Sequence, residues 1–170
     1  EHMTRGPWVI SKTSKAYGRD AQMHDSSFGW RFVNPKLHDA YGTDGMGVTA
    51  ENLVEKYSIS RVDQDAFALW SQQKTKAAQE AGFFKDEIVA VEIPRRKMEP
   101  LVFDKDEFPR GNTSMESLGG LRAAFKKDGS VSAGNSSGLN DGAAALLIAS
   151  NLAIASYNLK PLARVVSSAV

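Results

Sequence analysis

The alternation of apolar and polar positions is clearest over residues 61–81, where Phe67, Leu69 and Trp70 supply apolar bulk among polar neighbours. Ala77, Ala78 and Ala81 keep helix propensity high, and Gly82 stands where a helix ends in a left-handed residue. Ser60 precedes the segment as a cap, with Asp63 three residues on. The spacing predicts a helix of about 30 Å. A second, shorter helix is expected over residues 50–57, with Thr49 as its cap and Glu51 in its first turn. Short helical turns are expected at 35–41, 113–118 and 152–157. The apolar run 88–93, interrupted by Glu92, reads as a strand, with 101–103 as its partner across Pro94 and Pro100. Asp128-Gly129 signals a turn.

Two regions break this pattern. Residues 1–34 show little periodicity and mix glycine, serine and charge with isolated large apolar residues: Trp8, Val9, Ile10, Tyr17, Phe28, Trp30, Phe32 and Val33. They read as a largely irregular segment whose aromatics need another surface to cover them. Residues 131–142 are small, polar and glycine-rich, with Gly134, Gly138 and Gly142 four apart, and they lead into the uninterrupted apolar run 143–149. That run suits a strand buried on both faces, although periodicity alone leaves a buried helix segment open. A last strand is expected over 163–167. The glycine-rich loop suits either a tight connection in a packed domain or a ligand lying against backbone.

Composition narrows the class. The 170 residues are 42% hydrophobic and 24% charged, as in a soluble globular protein of about one domain. A net charge of +1 gives neither a nucleic-acid footprint nor an acidic tail. No apolar run approaches the roughly 20 residues that span a membrane. No signal segment is visible, and a cytoplasmic location is expected on that basis. The opening Glu1-His2-Met3-Thr4-Arg5 fits a cloning scar before a native start and a boundary inside a larger protein equally well. Cysteine is absent, so this chain holds no disulfide, thiolate metal site or cysteine nucleophile.

Candidate chemistry is sparse. Gly134-x-Ser136-x-Gly138 matches a hydrolase nucleophile elbow only in form, because that motif needs a later histidine, and His2, His24 and His38 all lie upstream. The histidines lack metal-ligand spacing, and Gly42, Gly45 and Gly47 fit neither a Walker loop nor a dinucleotide fingerprint. The acids of 104–107 and the basic clusters at Arg95-Arg96-Lys97 and Lys126-Lys127 read as solvated surface.

The run Ser132-Ala133-Gly134-Asn135-Ser136-Ser137-Gly138-Leu139-Asn140-Asp141-Gly142-Ala143-Ala144 resembles the central signature of thiolases, the acetyl-CoA C-acyltransferases. Other segments agree in order: Glu1, Met3, Arg5 and Pro7; Thr49-Ala50-Glu51-Asn52; Ser60 with Gln64-Asp65 and Phe67-Ala68; Ser71-Gln72-Gln73; Phe84 with Glu87-Ile88; and Leu121-Arg122 with Ala124-Phe125. The likeness covers essentially the whole chain. Gly29-Trp30-Arg31-Phe32-Val33-Asn34-Pro35 resembles the β-ketoadipyl-CoA branch.

The resemblance implies an α/β, thiolase-like fold seen in part: an inserted loop domain over 1–139, the end of the first half of an αβαβα core over 140–161, and the opening strand of the second half over 162–170. It implies an internal piece of an enzyme that cleaves a 3-oxoacyl-CoA, of the 3-oxoadipyl class, with coenzyme A, or runs the reverse Claisen condensation. The family's nucleophilic cysteine lies before this region, and its histidine and second cysteine after it, so no catalytic residue is assigned here and the chain alone is expected to be inactive. Coenzyme A enters as substrate or product, and no permanently bound cofactor or metal is implied. By the family pattern Ser137 sits beside the pantetheine amide with Ala133 and Phe125 as apolar walls. Arg110 and Ser117 lie near the adenosine-diphosphate end, Leu121 and Ala124 line the pocket, and Leu37 and Met46 approach the pantetheine and acyl end. Gly45 stands where biosynthetic members carry histidine, so their acyl specificity does not transfer. Implied partners are acyl-CoA, the remainder of the polypeptide, and further copies in a homodimer or homotetramer, with no nucleic acid and no membrane. The rival readings are a non-catalytic acyl-CoA or lipid-binding relative and an independently folded interaction module.

Overall fold

The computed structural model describes residues 2–27 and 29–169. Glu1, Phe28 and Val170, which belong respectively to the opening motif, the early aromatics and the expected segment 162–170, lie outside the described residues. In chain order the elements are β1 (Trp8–Ile10), β2 (Met23–Asp25), α1 (Pro35–Tyr41), α2 (Met46–Tyr57), α3 (Arg61–Glu80), β3 (Val91–Arg95), β4 (Met98–Phe103), α4 (Met115–Gly119) and α5 (Asn151–Ser156). Among the described residues the strands form two separate antiparallel pairs, β1 with β2 and β3 with β4.

The long helix forms as its sequence dictates. The Ser60 hydroxyl accepts from the Asp63 N–H at 3.1 Å and donates to the Asp63 carboxylate at 2.7 Å. Gly82, at φ 71°, takes the left-handed position after the helix. The start of α2 differs from expectation. It begins at Met46, with Gly45 as an extended cap that has no side-chain bond, so Thr49 lies within the helix and donates to Gly45 O. Glu51 accordingly faces inward from the second turn and is 2% exposed. The opening segment is less irregular than its sequence suggests, because Trp8 pairs with Asp25 and Ile10 with Met23. The second hairpin starts three residues later than expected, at Val91, since the Ile88 N–H closes a turn onto Phe84 O. Its loop is Arg96–Lys97, with Lys97 at φ 60°.

The strands expected at 143–149 and 163–167 are not formed. An extended segment becomes a strand only when a neighbour takes up its N–H and C=O groups. No such partner exists among the described residues, and Leu146, Leu147 and Ile148 are exposed. The same shortage of partners runs through the molecule. A compact folded monomer of 18.5 kDa exposes about 8,200 Å², whereas this chain exposes 15186 Å². Among the described residues Leu118 and Val131 are the buried hydrophobic ones, and Glu51, Asp65 and Ser132 are buried as well. The small interior therefore lies where α2, α3 and α4 meet residues 121–137.

Candidate functional site

Residues 121–137 are held by polar side chains from two helices. From α2, Glu51 Oε1 accepts the N–H of Ser130 at 2.9 Å and of Val131 at 2.7 Å. A Cβ at Gly129 would stand 2.4 Å from that same oxygen, so glycine is what admits the carboxylate. One helical turn on, Glu55 pairs with Lys126, which raises the lysine pKa. From α3, Gln64 Nε2 donates to Ser130 Oγ at 2.9 Å. Inside the loop, the Gly134 N–H donates to Ser132 Oγ and the Ser136 hydroxyl to Ser132 O. Ser136 is thus engaged in loop structure.

A second set of bonds starts from an ion pair on α3. Arg61 Nε donates to Asp65 Oδ2 at 2.8 Å, and Arg61 Nη2 donates to the carbonyls of Leu118 at 2.7 Å and Leu121 at 3.1 Å, at the end of α4 and just past it. The other carboxylate oxygen, Asp65 Oδ1, accepts from Asn135 Nδ2 at 2.9 Å. Asn135 also donates to Ser130 O and accepts the Ser132 N–H at 2.7 Å. Asp65 is 2% exposed and fully satisfied, as a buried carboxylate must be.

This framework draws several of the expected site residues together. Ala123 and Ser132 form an antiparallel bridge, and the Ala124 N–H donates to Val131 O at 2.9 Å, so Ala124 and Ala133 sit on adjoining segments. Leu118 and Leu121 lie over Gly134, where a Cβ would come within 2.6 Å of each. The Phe125 ring covers Gly47, beside Met46, where a Cβ would stand 2.1 Å from Cγ. Phe125 remains 46% and Leu121 39% exposed, so the apolar faces point outward. Ala133, Met46 and Ser137 are exposed too, and no hydrogen bond among the described residues engages the Ser137 hydroxyl.

Other expected residues are placed differently. The Ser117 hydroxyl is committed to the start of α4, accepting the Ser114 N–H at 3.0 Å and donating to Ser114 O at 2.8 Å. Arg110 is exposed, and its N–H is tied to Gln72 Oε1 of α3 at 2.8 Å. Leu37 is half-buried on α1, which packs against no other described helix or strand. An open cleft of about 540 Å³ between Lys76, Glu80, Lys105 and Glu107 contains none of the expected residues. At the far end of the glycine-rich loop, Asp141 accepts from the Thr4 N–H at 3.1 Å and hydroxyl at 2.8 Å, and these bonds lower its pKa. No group of three or more metal-ligating side chains is assembled among the described residues, and no described helix is long and apolar enough to cross a membrane.

Comparison with known proteins bears directly on this arrangement. The family pattern described as "Thiolase, N-terminal domain" matches residues 1–152. The chain belongs to the thiolase family. It is 53% identical over 168 residues to a β-ketoadipyl-CoA thiolase of Acinetobacter baylyi, covering 99% of this chain and 42% of that protein. It is also 53% identical over 170 residues to an acetyl-CoA acetyltransferase of Allochromatium vinosum, again covering 99% and 42%. The crystal structure of human mitochondrial 3-ketoacyl-CoA thiolase in complex with CoA superposes with a TM-score of 0.69 at 37% identity, covering 95% of this chain and 39% of that one. The chain therefore spans about 42% of the length of these curated relatives. Its mixture of helices and strands is part of the α/β thiolase fold, and the enzyme family is acyl-transferring.

The buried acids were not legible as such in the sequence. Arg61 and Asp65 have the spacing of a solvated pair on a helix surface, and Glu51 that of a first-turn acid. The available signal was Asn135, an amide-bearing side chain among the serines, glycines and alanine of 132–138.

Proposed function

We propose that this chain forms the coenzyme A side of a thiolase that cleaves a 3-oxoacyl-CoA, of the 3-oxoadipyl class, or condenses two acyl-CoA molecules in reverse. The observation that carries the reading is the exposure of the apolar side chains of Leu121, over Gly134, of Phe125, over Gly47, and of Ala133, on segments that adjoin at the Ala123–Ser132 bridge, together with an exposed Ser137 whose hydroxyl makes no hydrogen bond among the described residues. Apolar walls with a few placed polar groups suit a pantetheine arm. Ser137 meets the pantetheine amide, Leu121, Ala124 and Met46 continue the wall, and Leu37 lies toward the acyl end. Arg110, exposed at the surface, meets phosphate at the adenosine-diphosphate end. Ser117 serves there chiefly by fixing the start of α4.

Thiolysis needs a nucleophile that attacks the 3-oxo carbonyl, releases acetyl-CoA, and passes the acyl group to a second CoA. Cysteine suits this because its thiolate is intrinsically nucleophilic. This chain has no cysteine, so the acyl-cysteine forms on the rest of the polypeptide and the isolated chain is inactive. In the division we propose, 1–139 is the loop domain, and 140–161 and 162–170 complete their strands against core partners elsewhere in the protein. The complete protein assembles as a homodimer or homotetramer, which covers part of the exposed apolar surface.

The test is steady-state thiolysis of 3-oxoadipyl-CoA and acetoacetyl-CoA by the complete polypeptide, with CoA affinity measured for Ser137→Ala combined with Arg110→Ala. Thiolysis with weakened CoA binding in the double variant is expected. Undiminished affinity would remove the pocket assignment, and thiolysis by the isolated chain would remove the cysteine-dependent mechanism.

A further inference from the structure

The ion pair on α3 touches both sides of the apolar face. Through its forked guanidinium, Arg61 grips the carbonyls of Leu118 and Leu121, so it fixes the segment that leaves α4 and carries Leu121, Ala124 and Phe125. Through Asn135, Asp65 grips Ser130 O and the Ser132 N–H, so it fixes the loop that carries Ala133 and Ser137. The two grips are joined by a single contact, Arg61 Nε to Asp65 Oδ2 at 2.8 Å, one helical turn apart on a rigid 20-residue helix. The segments they hold also meet directly, at the Ala123–Ser132 bridge, where the Ala124 N–H donates to Val131 O at 2.9 Å, and where the two leucines lie over Gly134.

We propose that Arg61 and Asp65, with Asn135 as relay, are positioning residues that set the separation of the two walls of the coenzyme A pocket. This rests on the reading of that face as the coenzyme A site. The donor and acceptor pattern explains why the residue types are needed. Asp65 receives a donor on each oxygen, from Arg61 on one side and Asn135 on the other, and a carboxylate is the side chain that accepts on both. An amide at this position turns an N–H₂ toward one of the two donors and breaks that grip. Lysine in place of Arg61 keeps the charge but loses the planar fork that reaches carboxylate and carbonyls together. The pocket reading gives none of the three side chains a contact with coenzyme A, so their effect passes through Leu121, Ala133 and Ser137.

The experiment uses the complete thiolase polypeptide that carries this chain and measures kcat and KM for CoA in thiolysis of acetoacetyl-CoA. Asp65→Asn is expected to raise KM for CoA about tenfold, the equivalent of one charge-assisted hydrogen bond, with kcat per active site little changed. Swapping the two groups, Asp65→Asn with Asn135→Asp, restores an acceptor opposite a donor between these positions and leaves the amide oxygen for Arg61. The swap is expected to recover about threefold of the lost affinity, part of one charge-assisted hydrogen bond, because the carboxylate now at position 135 faces Ser130 O. If Asp65→Asn does not fold, Arg61→Lys decides the question by the same rise in KM. A lower unfolding temperature with KM unchanged, or no recovery in the swap, would overturn the proposal. Phe125→Ala separates the two levels of inference: weakened CoA binding there with KM unmoved by Asp65→Asn or Arg61→Lys rejects only the positioning role, whereas unchanged binding in Phe125→Ala rejects the pocket beneath it.

Discussion

Replacing Glu51 by alanine isolates the contribution of one buried carboxylate to the glycine-rich loop. Glu51 is 2% exposed, and a single oxygen accepts two backbone N–H groups, at 2.9 Å from Ser130 and 2.7 Å from Val131. Hydrogen bonds to a charged acceptor contribute about 1.5–3 kcal/mol each. Loss of both, with partial repair by entering water, destabilises the local structure by about 3 kcal/mol. Against a total of roughly 5–15 kcal/mol for a folded domain, that opens the loop before it unfolds the protein. Glu51→Gln keeps a neutral acceptor in place and costs about 1 kcal/mol. Amide hydrogen exchange across residues 130–132 of the complete polypeptide reads this directly. About 3 kcal/mol corresponds to exchange some 100-fold faster in Glu51→Ala, with α3 unaffected. Exchange within about threefold of the parent would refute the claim that this carboxylate holds the loop, since even one neutral bond is worth more.

Gly47→Ala sets a Cβ 2.1 Å from Cγ of Phe125, so the ring must swing off α2; overpacking of about 1–3 kcal/mol should weaken CoA binding about tenfold, and an unchanged Kd by titration calorimetry would remove Phe125 from the wall. The Thr4 N–H and hydroxyl favour the charged form of Asp141 and hold its pKa below the ordinary 3.8. The tether is therefore complete above that ordinary value and is lost as pH falls through the lowered folded one; a carboxyl ¹³C titration should show a midpoint below 3.8 that rises in Thr4→Val, and a parent midpoint at or above 3.8 contradicts the bond. The isolated chain, exposing 15186 Å², should bind a hydrophobic dye and self-associate in sedimentation, and a monodisperse monomer that binds no dye would contradict the exposure described.

How far the sequence reached depended on how local each interaction was. The helix α3 was legible because its start and stop are written within a few residues, in Ser60, Asp63 and Gly82. The start of α2 was not, because Gly45 caps without a side chain and its glycine-rich surroundings read as loop. The strand expected at 143–149 has the right composition, but a strand also needs a neighbour to take up its backbone groups, and none lies beside it among the described residues. The residues of the candidate site came from resemblance alone. Family resemblance pointed to Leu121, Ala124, Phe125, Ala133 and Met46, which the structure gathers around Gly134 and Gly47. Glu51 and Asp65 stand within the matching segments but were given no role there, and Arg61 lies outside them, because burial of a charged side chain is decided by tertiary neighbours that no local pattern records.

The unpaired run 143–149 also has a kinetic meaning. It contains no charge, proline or glycine, and the charged residues that flank it are Asp141, just before it, and Lys160, well beyond its end. Asp141 is itself tied to Thr4. A short apolar segment with free backbone groups is what a second, identical segment can pair with. In the division proposed above its partners are distant strands, and such pairing closes large loops and is slow, which leaves the run exposed to its copies in neighbouring molecules during folding. Concentration and temperature at the moment of synthesis then decide the yield of folded protein, through a step that the stability of the finished fold does not govern.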